Sequence, residues 1–384
     1  MTDLAALSRV LYSPTTIALY FAAAFTLLYA LTMSVGRHDQ QRRGELARRV
    51  GGGLAVAGIT THVAHEITRG IAQQRLPLGN MFEVTSLMAL VGVVAGLSYL
   101  TWIRRRGDLN GFVLLLGGLL MAFAGLLYAE PGPLMPILDT WWRPFHVSLL
   151  VTAMGIFAAG FVFNALFLLR DTAELSVAGA RTATTRGSTV GAASIEDLDD
   201  IDAALEGDDD RVHDVAYRAA LRAGVPAGRL AVGTFVGAST VSWVFLTSAP
   251  DTASGLARFF SINLALVAAA LLARWLVPFV PSTVTLDGLA HRTIAFAFIL
   301  WTVGTIAGAM WAEQSWGRFW GWDPKETGAF LTWVAYAGYL HARATRGIKG
   351  RPAAWIGIGA FVVMMGTYLI ANYVIVGLHS YAGL

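Results

Sequence analysis

The 384-residue sequence contains no cysteine. Disulfides, thiol redox chemistry and thiolate metal ligation are therefore excluded for this chain. Charge is scarce as well: Asp, Glu, Lys and Arg make up 14% of residues against 55% hydrophobic ones, and mean hydropathy is +0.57. A chain so poor in charge, with several apolar runs of about 20 residues, reads as an integral membrane protein, because each such run can span a bilayer as a helix. The N-terminal "MTDLAALSRVLYSPTT" lacks a basic n-region and a small-residue cleavage site, so the first apolar run reads as a retained span and not a signal peptide. The net charge of +3 rests on residues that mostly flank the apolar runs, which makes them topology markers and gives no sign of a nucleic-acid partner.

Apolar runs lie near residues 15–36, 51–68, 84–103, 111–129, 147–169, 229–249, 259–280, 293–312, 326–342 and 353–376, the second being glycine-rich and weakest. "GRHDQQRRGELARR", with five arginines, separates the first two, "RRRGD" follows the third, and "ARATRGIKGR" follows the ninth. The positive-inside rule makes these loops cytoplasmic and places both termini outside, together with the 130–146 loop and the tryptophan-rich stretch. The expected fold is an all-α polytopic helical bundle of eight spans plus an inserted helical hairpin. Its parts are 1–170, holding the first five spans; 171–228, an acidic and mostly disordered cytoplasmic loop with "IEDLDDIDAALEGDDD"; 229–284, the hairpin; and 285–384, with the last three spans.

"WAEQSWGRFWGWDPKETGAF" at 311–330 packs four of the chain's twelve tryptophans into twelve positions. Interfacial belts place indoles at span ends, which suits Trp102, Trp275, Trp301 and Trp355. Four rings in a connecting loop, with glycines such as Gly321 allowing close backbone approach and Arg318 and Lys325 available for anions, suggest instead a platform for a large flat amphipathic ligand such as haem. A protein-docking loop is the competing reading. Asp323, Pro324 and Glu326 read as N-cap, N1 and N3 of the next helix, a capping box. His341 then lies about 25 Å deeper, near the cytoplasmic side.

His146 begins a span at its outer end and His379 follows the last span, again at its outer end. The two imidazoles share a level with the tryptophans, and six-coordinate haem iron takes two axial imidazoles. His341 lies within a span, where a polar group is functional by default. His62 and His65 are structural or support the pocket, His291 marks a span entry, and His38 and His213 read as loop residues.

"WGRFWGWDPKETGAFLTWVAYAGYLHAR" resembles the tryptophan-rich WWD domain of the haem-handling cytochrome c biogenesis proteins. "LDGLAHRTIAFAFILWTVGTIAGAMWAEQ", the terminal "GLHSY" and, more weakly, "LPLGNMFE" at 76–83 resemble the CcsA (ResC) branch, the membrane subunit of the System II cytochrome c synthase. The resemblance covers most of 70–170 and 285–384 and leaves 171–280 unmapped. It implies that His146 and His379 ligate haem iron outside, that His341 ligates it within the membrane with a histidine of a ResB-type partner, and that this partner is a separate chain. It further implies haem b as substrate, lined by Trp311, Trp316, Trp320, Trp322, Asp323, Gly321 and Arg318. The implied task is moving haem to the outer face of the cytoplasmic membrane for thioether attachment to the CxxCH motif of apocytochrome c, with a thioredoxin-like reductant in the pathway. No catalytic residue is assigned: Asp323, Glu313 and Glu326 read as structural. The alternatives are a System I component like CcmC or CcmF, a transporter with an external aromatic gate, and a membrane scaffold.

Overall fold

The computed structural model describes residues 2–34, 38–130, 140–185, 210–375 and 377. Among these, thirteen α-helices and no strands are found, as expected of an all-α membrane protein. The helices are α1 (Thr2–Val10), α2 (Ile17–Met33), α3 (His38–Gln73), α4 (Met81–Ser98), α5 (Asn110–Leu126), α6 (Trp142–Thr185) and α7 (Asp210–Ala223). They continue with α8 (Ala227–Ser242), α9 (Val244–Ser248), α10 (Thr252–Leu276), α11 (Thr283–Trp316), α12 (Pro324–Arg346) and α13 (Arg351–Tyr373).

Among the described residues, six helical stretches are long and apolar enough to cross a membrane: Met81–Ile103, Gly107–Leu126, Trp142–Gly179, Thr252–Phe279, Thr283–Trp316 and Arg351–Tyr373. Ile17–Met33 is a shorter apolar helix. The remaining apolar runs lie in α3, in α12, and in α8 with α9, where the chain is broken at Trp243. Of the acidic segment, 171–185 continue α6 and 210–223 form α7, while 186–209 lie outside the described residues.

The core that positions the site is the pairing of α6 with α11, which run side by side and make the most extensive helix contact in the fold. Small residues permit the close approach. A Cβ at Gly160 would meet Ile294, and one at Gly304 would lie 2.7 Å from a Leu150 methyl. α11 has 34 residues, so it is about 51 Å long and outruns a hydrocarbon core of roughly 30 Å. Its surplus stands beyond the apolar stretch and carries Trp311 and Trp316.

At the opposite end, Arg343 of α12 donates both arms of its guanidinium to Asp287 of α11, each at 2.7 Å, and Asp287 also accepts from the Gly350 N–H at 3.1 Å. This carboxylate ties α11, α12 and the turn before α13 together. Asp287→Ala is expected to cost about 1.5–3 kcal/mol, the range for hydrogen bonds to charged groups. A thermal melt of the detergent-solubilised protein followed by tryptophan fluorescence checks this.

Candidate functional site

α11 ends at Gly317, which adopts the left-handed conformation (φ 66°) while its N–H reaches the Glu313 carbonyl at 2.8 Å. The sequence reading of 311–322 as one exposed loop is corrected here. Trp311 and Trp316 belong to the last two turns of α11, and Trp311 is 4% exposed. The helix outlasts its apolar run because one face of the surplus is still buried, against His146. Only Trp320 and Trp322 lie in the connection.

Asp323, Pro324 and Glu326 form the expected capping box. Asp323 Oδ1 accepts from the Lys325 N–H at 3.1 Å, and Glu326 Oε2 accepts from the Asp323 N–H at 3.2 Å and the Gly321 N–H at 2.8 Å. Arg318 folds back over Gly321, where any Cβ would overlap the guanidinium, and lies 3.7 Å from Glu326. Trp322 sits at φ 58° and is 69% exposed. A left-handed tryptophan costs about 1–2 kcal/mol, held here by the box on one side and Trp320 on the other, whose ring is 5.9 Å away and perpendicular.

His146 stands on the first turns of α6 and faces α11. Its Nδ1 lies 2.7 Å from the Gly304 carbonyl, an atom that only accepts, so Nδ1 carries the proton and Nε2 the lone pair. This is the arrangement of a metal-ligating histidine whose outer nitrogen is held by backbone. A Cβ at Gly308 would lie 2.5 Å from the imidazole, so this glycine makes room for the ring. The His146 and Trp311 ring centres are 5.9 Å apart.

His146, Trp311, Phe319, Trp320, Lys325 and Glu326 line one cleft. Its cavity volume is about 140 Å³. Small-molecule sites run to roughly 300–1,000 Å³, so the cleft in this conformation is smaller than an enclosed ligand site. The structure thus brings together His146, Trp311 and Trp320. Trp316 is next to them, 6.0 Å from Trp311. His379 lies outside the described residues.

His341 is elsewhere, 17 residues along α12 from Pro324 and therefore about 25 Å away. Its side chain is exposed on the outside of the bundle, whereas Tyr339 and Arg343 on the same helix turn inward. His291 lies 6.2 Å from the Tyr339 ring and His38 is exposed.

His62 and His65 do not line the cleft. They belong to a polar network between α1, α2, α3 and α4. Tyr20 donates to His62 Nδ1 (2.9 Å), His62 Nε2 to Ser86 (3.1 Å), and Ser86 to Glu66 Oε1 (2.6 Å). The directions follow because Ser86 has one proton and a carboxylate within reach. Further out, Glu83 is fully buried and accepts from Arg69 (3.0 Å), Arg75 (2.9 Å), the Gly79 N–H (2.7 Å) and Asn80 (3.2 Å). Asn80 caps α4 in return by accepting from the Glu83 N–H. The motif 76–83 is therefore a loop folded around one carboxylate. Arg143 donates to the Leu78 carbonyl at 3.2 Å, which ties that loop to the turn of α6 just before His146.

Sequence comparison places this architecture. Residues 78–379 match the family described as Cytochrome C assembly protein. A "Cytochrome c biogenesis protein CcsA" of Gloeobacter violaceus is 31% identical over 94% of this chain and 95% of its own length. Proteins of the same name from Rippkaea orientalis (32%, covering 79% of this chain and 80% of theirs) and Synechocystis (29%, 88% of each) are also similar. The chain belongs to the cytochrome c assembly protein family, in its CcsA branch. It is a polytopic membrane protein with a role in cytochrome c biogenesis.

Proposed function

We propose that this chain is the CcsA-type subunit of a cytochrome c synthase of the cytoplasmic membrane, which receives haem b and presents it in the tryptophan cleft on the outer face. The observation that supports this best is His146. Its Nδ1–H is held by the Gly304 carbonyl and its Nε2 lone pair belongs to a ring lining an aromatic cleft. A neutral imidazole so fixed is ready to ligate iron.

In this reading His146 and His379 hold iron from both faces, and Trp311, Trp316, Trp320 and Trp322 flank the macrocycle. Arg318, Gly321 and Asp323 shape its rim. His146 and His379 would set the plane of the macrocycle, and the side chains around its edge would set its rotation, so rate acceleration would come from positioning. Each substrate thiol forms a carbon–sulfur bond to a vinyl carbon while its proton passes to the neighbouring carbon, leaving electrons balanced without a redox partner in the bond-forming step. The histidine of CxxCH then replaces one axial histidine, which favours release.

His341, exposed on the outer surface of α12, is available to a histidine from a second membrane chain of the ResB type, and this pair receives haem nearer the cytoplasm. A thioredoxin-like protein keeps the apocytochrome thiols reduced. The test is the absorption spectrum of protein purified with its ResB-like partner. Wild type is expected to carry low-spin haem. His146→Gly and His379→Gly are each expected to lose it, with free imidazole restoring the spectrum. Identical spectra for all three would overturn the external bis-histidine site.

A further inference from the structure

α7 packs on α6 and on the turn Val277–Phe279 that follows α10. Leu221 and, just beyond α7, Val225 are buried there with Ala173 and Val277, in a small apolar cluster separate from the main core. α10 with this turn is the spanning stretch Thr252–Phe279, yet in its most apolar part only 6% of residues are buried inside the molecule. Nearly all of this span therefore faces lipid once the protein sits in a bilayer. Its last turn carries Arg274 and Trp275, the latter 47% exposed. A basic residue and an indole at a span end mark the headgroup level.

At that level the guanidinium groups are held in fixed places. Arg222 of α7 donates through Nε to the Trp275 carbonyl at 3.0 Å. Its guanidinium carbon lies 4.9 Å from the Trp275 ring centre and 5.7 Å from that of Phe279. Arg274 reaches back and donates to the Val225 and Arg222 carbonyls. Arg218, one turn before Arg222, is 5.3 Å from the same Phe279 ring. Carbonyl dipoles and ring faces orient these groups without neutralising them. Among the described residues no carboxylate pairs with Arg222 or Arg274, and Glu174 of α6 is already held by Arg170 at 2.6 Å. Burial, together with the charges of Arg218 and Arg274, holds Arg222 below its ordinary pKa. The arginines are thus close enough to repel one another, and an anion relieves that repulsion. Planar guanidinium forks match phosphate oxygens in particular.

We propose that Arg222 and Arg274 form a binding site for the phosphate headgroup of an anionic phospholipid, whose acyl chains lie along the uncovered face of α10. That face selects a lipid. A soluble phosphate or an acidic peptide meets the charges but gains nothing from the apolar surface beside them, whereas a phospholipid uses both. Arginines that only mark topology need no fixed geometry; these two are tied to the backbones of two helices. The site is independent of the haem reading above.

The experiment is native mass spectrometry of the full-length protein released from nanodiscs that hold phosphatidylglycerol and phosphatidylcholine in equal amounts. Wild type is expected to retain phosphatidylglycerol in preference. Arg222→Gln and Arg274→Gln are each expected to lower that preference at least about fivefold, the worth of one basic residue at an anionic membrane surface. Arg346→Gln removes the same charge from an exposed position in the last turn of α12, at the same end of the bundle, and is expected to leave the preference unchanged. Equal losses in all three variants overturn the site, since general surface charge then suffices. A parallel loss of both lipids in Arg222→Gln and Arg274→Gln also overturns it, because that is the mark of a displaced α7 and not of a lost headgroup contact. No preference in wild type overturns it too, and leaves the arginines to an acidic protein segment.

Discussion

Glu83→Gln is expected to destabilise the protein by about 3–5 kcal/mol, the cost of removing one partner from a buried ion pair. The carboxylate is wholly buried and is the common acceptor for Arg69 and Arg75. Glutamine keeps the volume, yet it removes the charge that two guanidinium groups share and turns an N–H₂ toward groups that only donate. With whole-domain stabilities of roughly 5–15 kcal/mol, such a loss is large. Arg69→Met is expected to cost less, because Arg75 and the Gly79 N–H still satisfy the carboxylate. Thermal unfolding of the two detergent-solubilised variants separates them. Equal losses would mean that Glu83 is one member of a pair and not the hub of the loop. The effect should also reach the cleft, since the 76–80 loop holds Arg143, three residues before His146, through the Leu78 carbonyl.

What the sequence revealed about this site was whatever was local in the chain. The capping box at Asp323, Pro324 and Glu326 forms within one turn, so its residue types and spacing suffice to read it. The span positions are likewise set by runs of apolar residues. Trp311 and Trp316 were placed in a loop because hydropathy stops where the apolar run stops, whereas the helix continues as long as one face has something to pack on, here His146. The network of Tyr20, His62, Glu66 and Ser86 joins residues up to 66 positions apart. No pattern along the chain pairs them, although His62, Glu66 and Arg69 do share one face of α3 at helical spacing. Glu83 carried a signal that was there to be used: Asn80 and Glu83 have the spacing of a cap with an acidic N3. The support for His146 also had one, the G-x-x-x-G of "GTIAG" at 304–308, which marks a face where another helix comes close. The two sides of the cleft, α6 and α11, are brought together by that face.

Gly308→Val is the sharpest test of that packing, and its expected result is a 10–100-fold loss of haem retention with the helices intact. The first carbon added at 308 would lie 2.5 Å from His146 Cε1 and 2.7 Å from Nδ1. The imidazole cannot retreat along α6 without giving up the 2.7 Å bond to the Gly304 carbonyl, the bond that sets its tautomer. Displacement therefore costs both the position of Nε2 and the identity of the nitrogen that carries the lone pair. Gly308→Ala should show a smaller effect of the same kind, because one methyl leaves more room for a small tilt of the ring. Gly338→Ala is the matched control: it sits in α12 with open space around its Cβ position and gains about 1 kcal/mol of helix propensity. Its haem spectrum is expected to be that of wild type. Imidazole should restore low-spin haem in Gly308→Val, since the vacated axial position is open to a free ligand. If Gly308→Val keeps its haem, His146 is not the ligand that the geometry around Gly304 prepares, and the iron must be held by histidines outside this cleft.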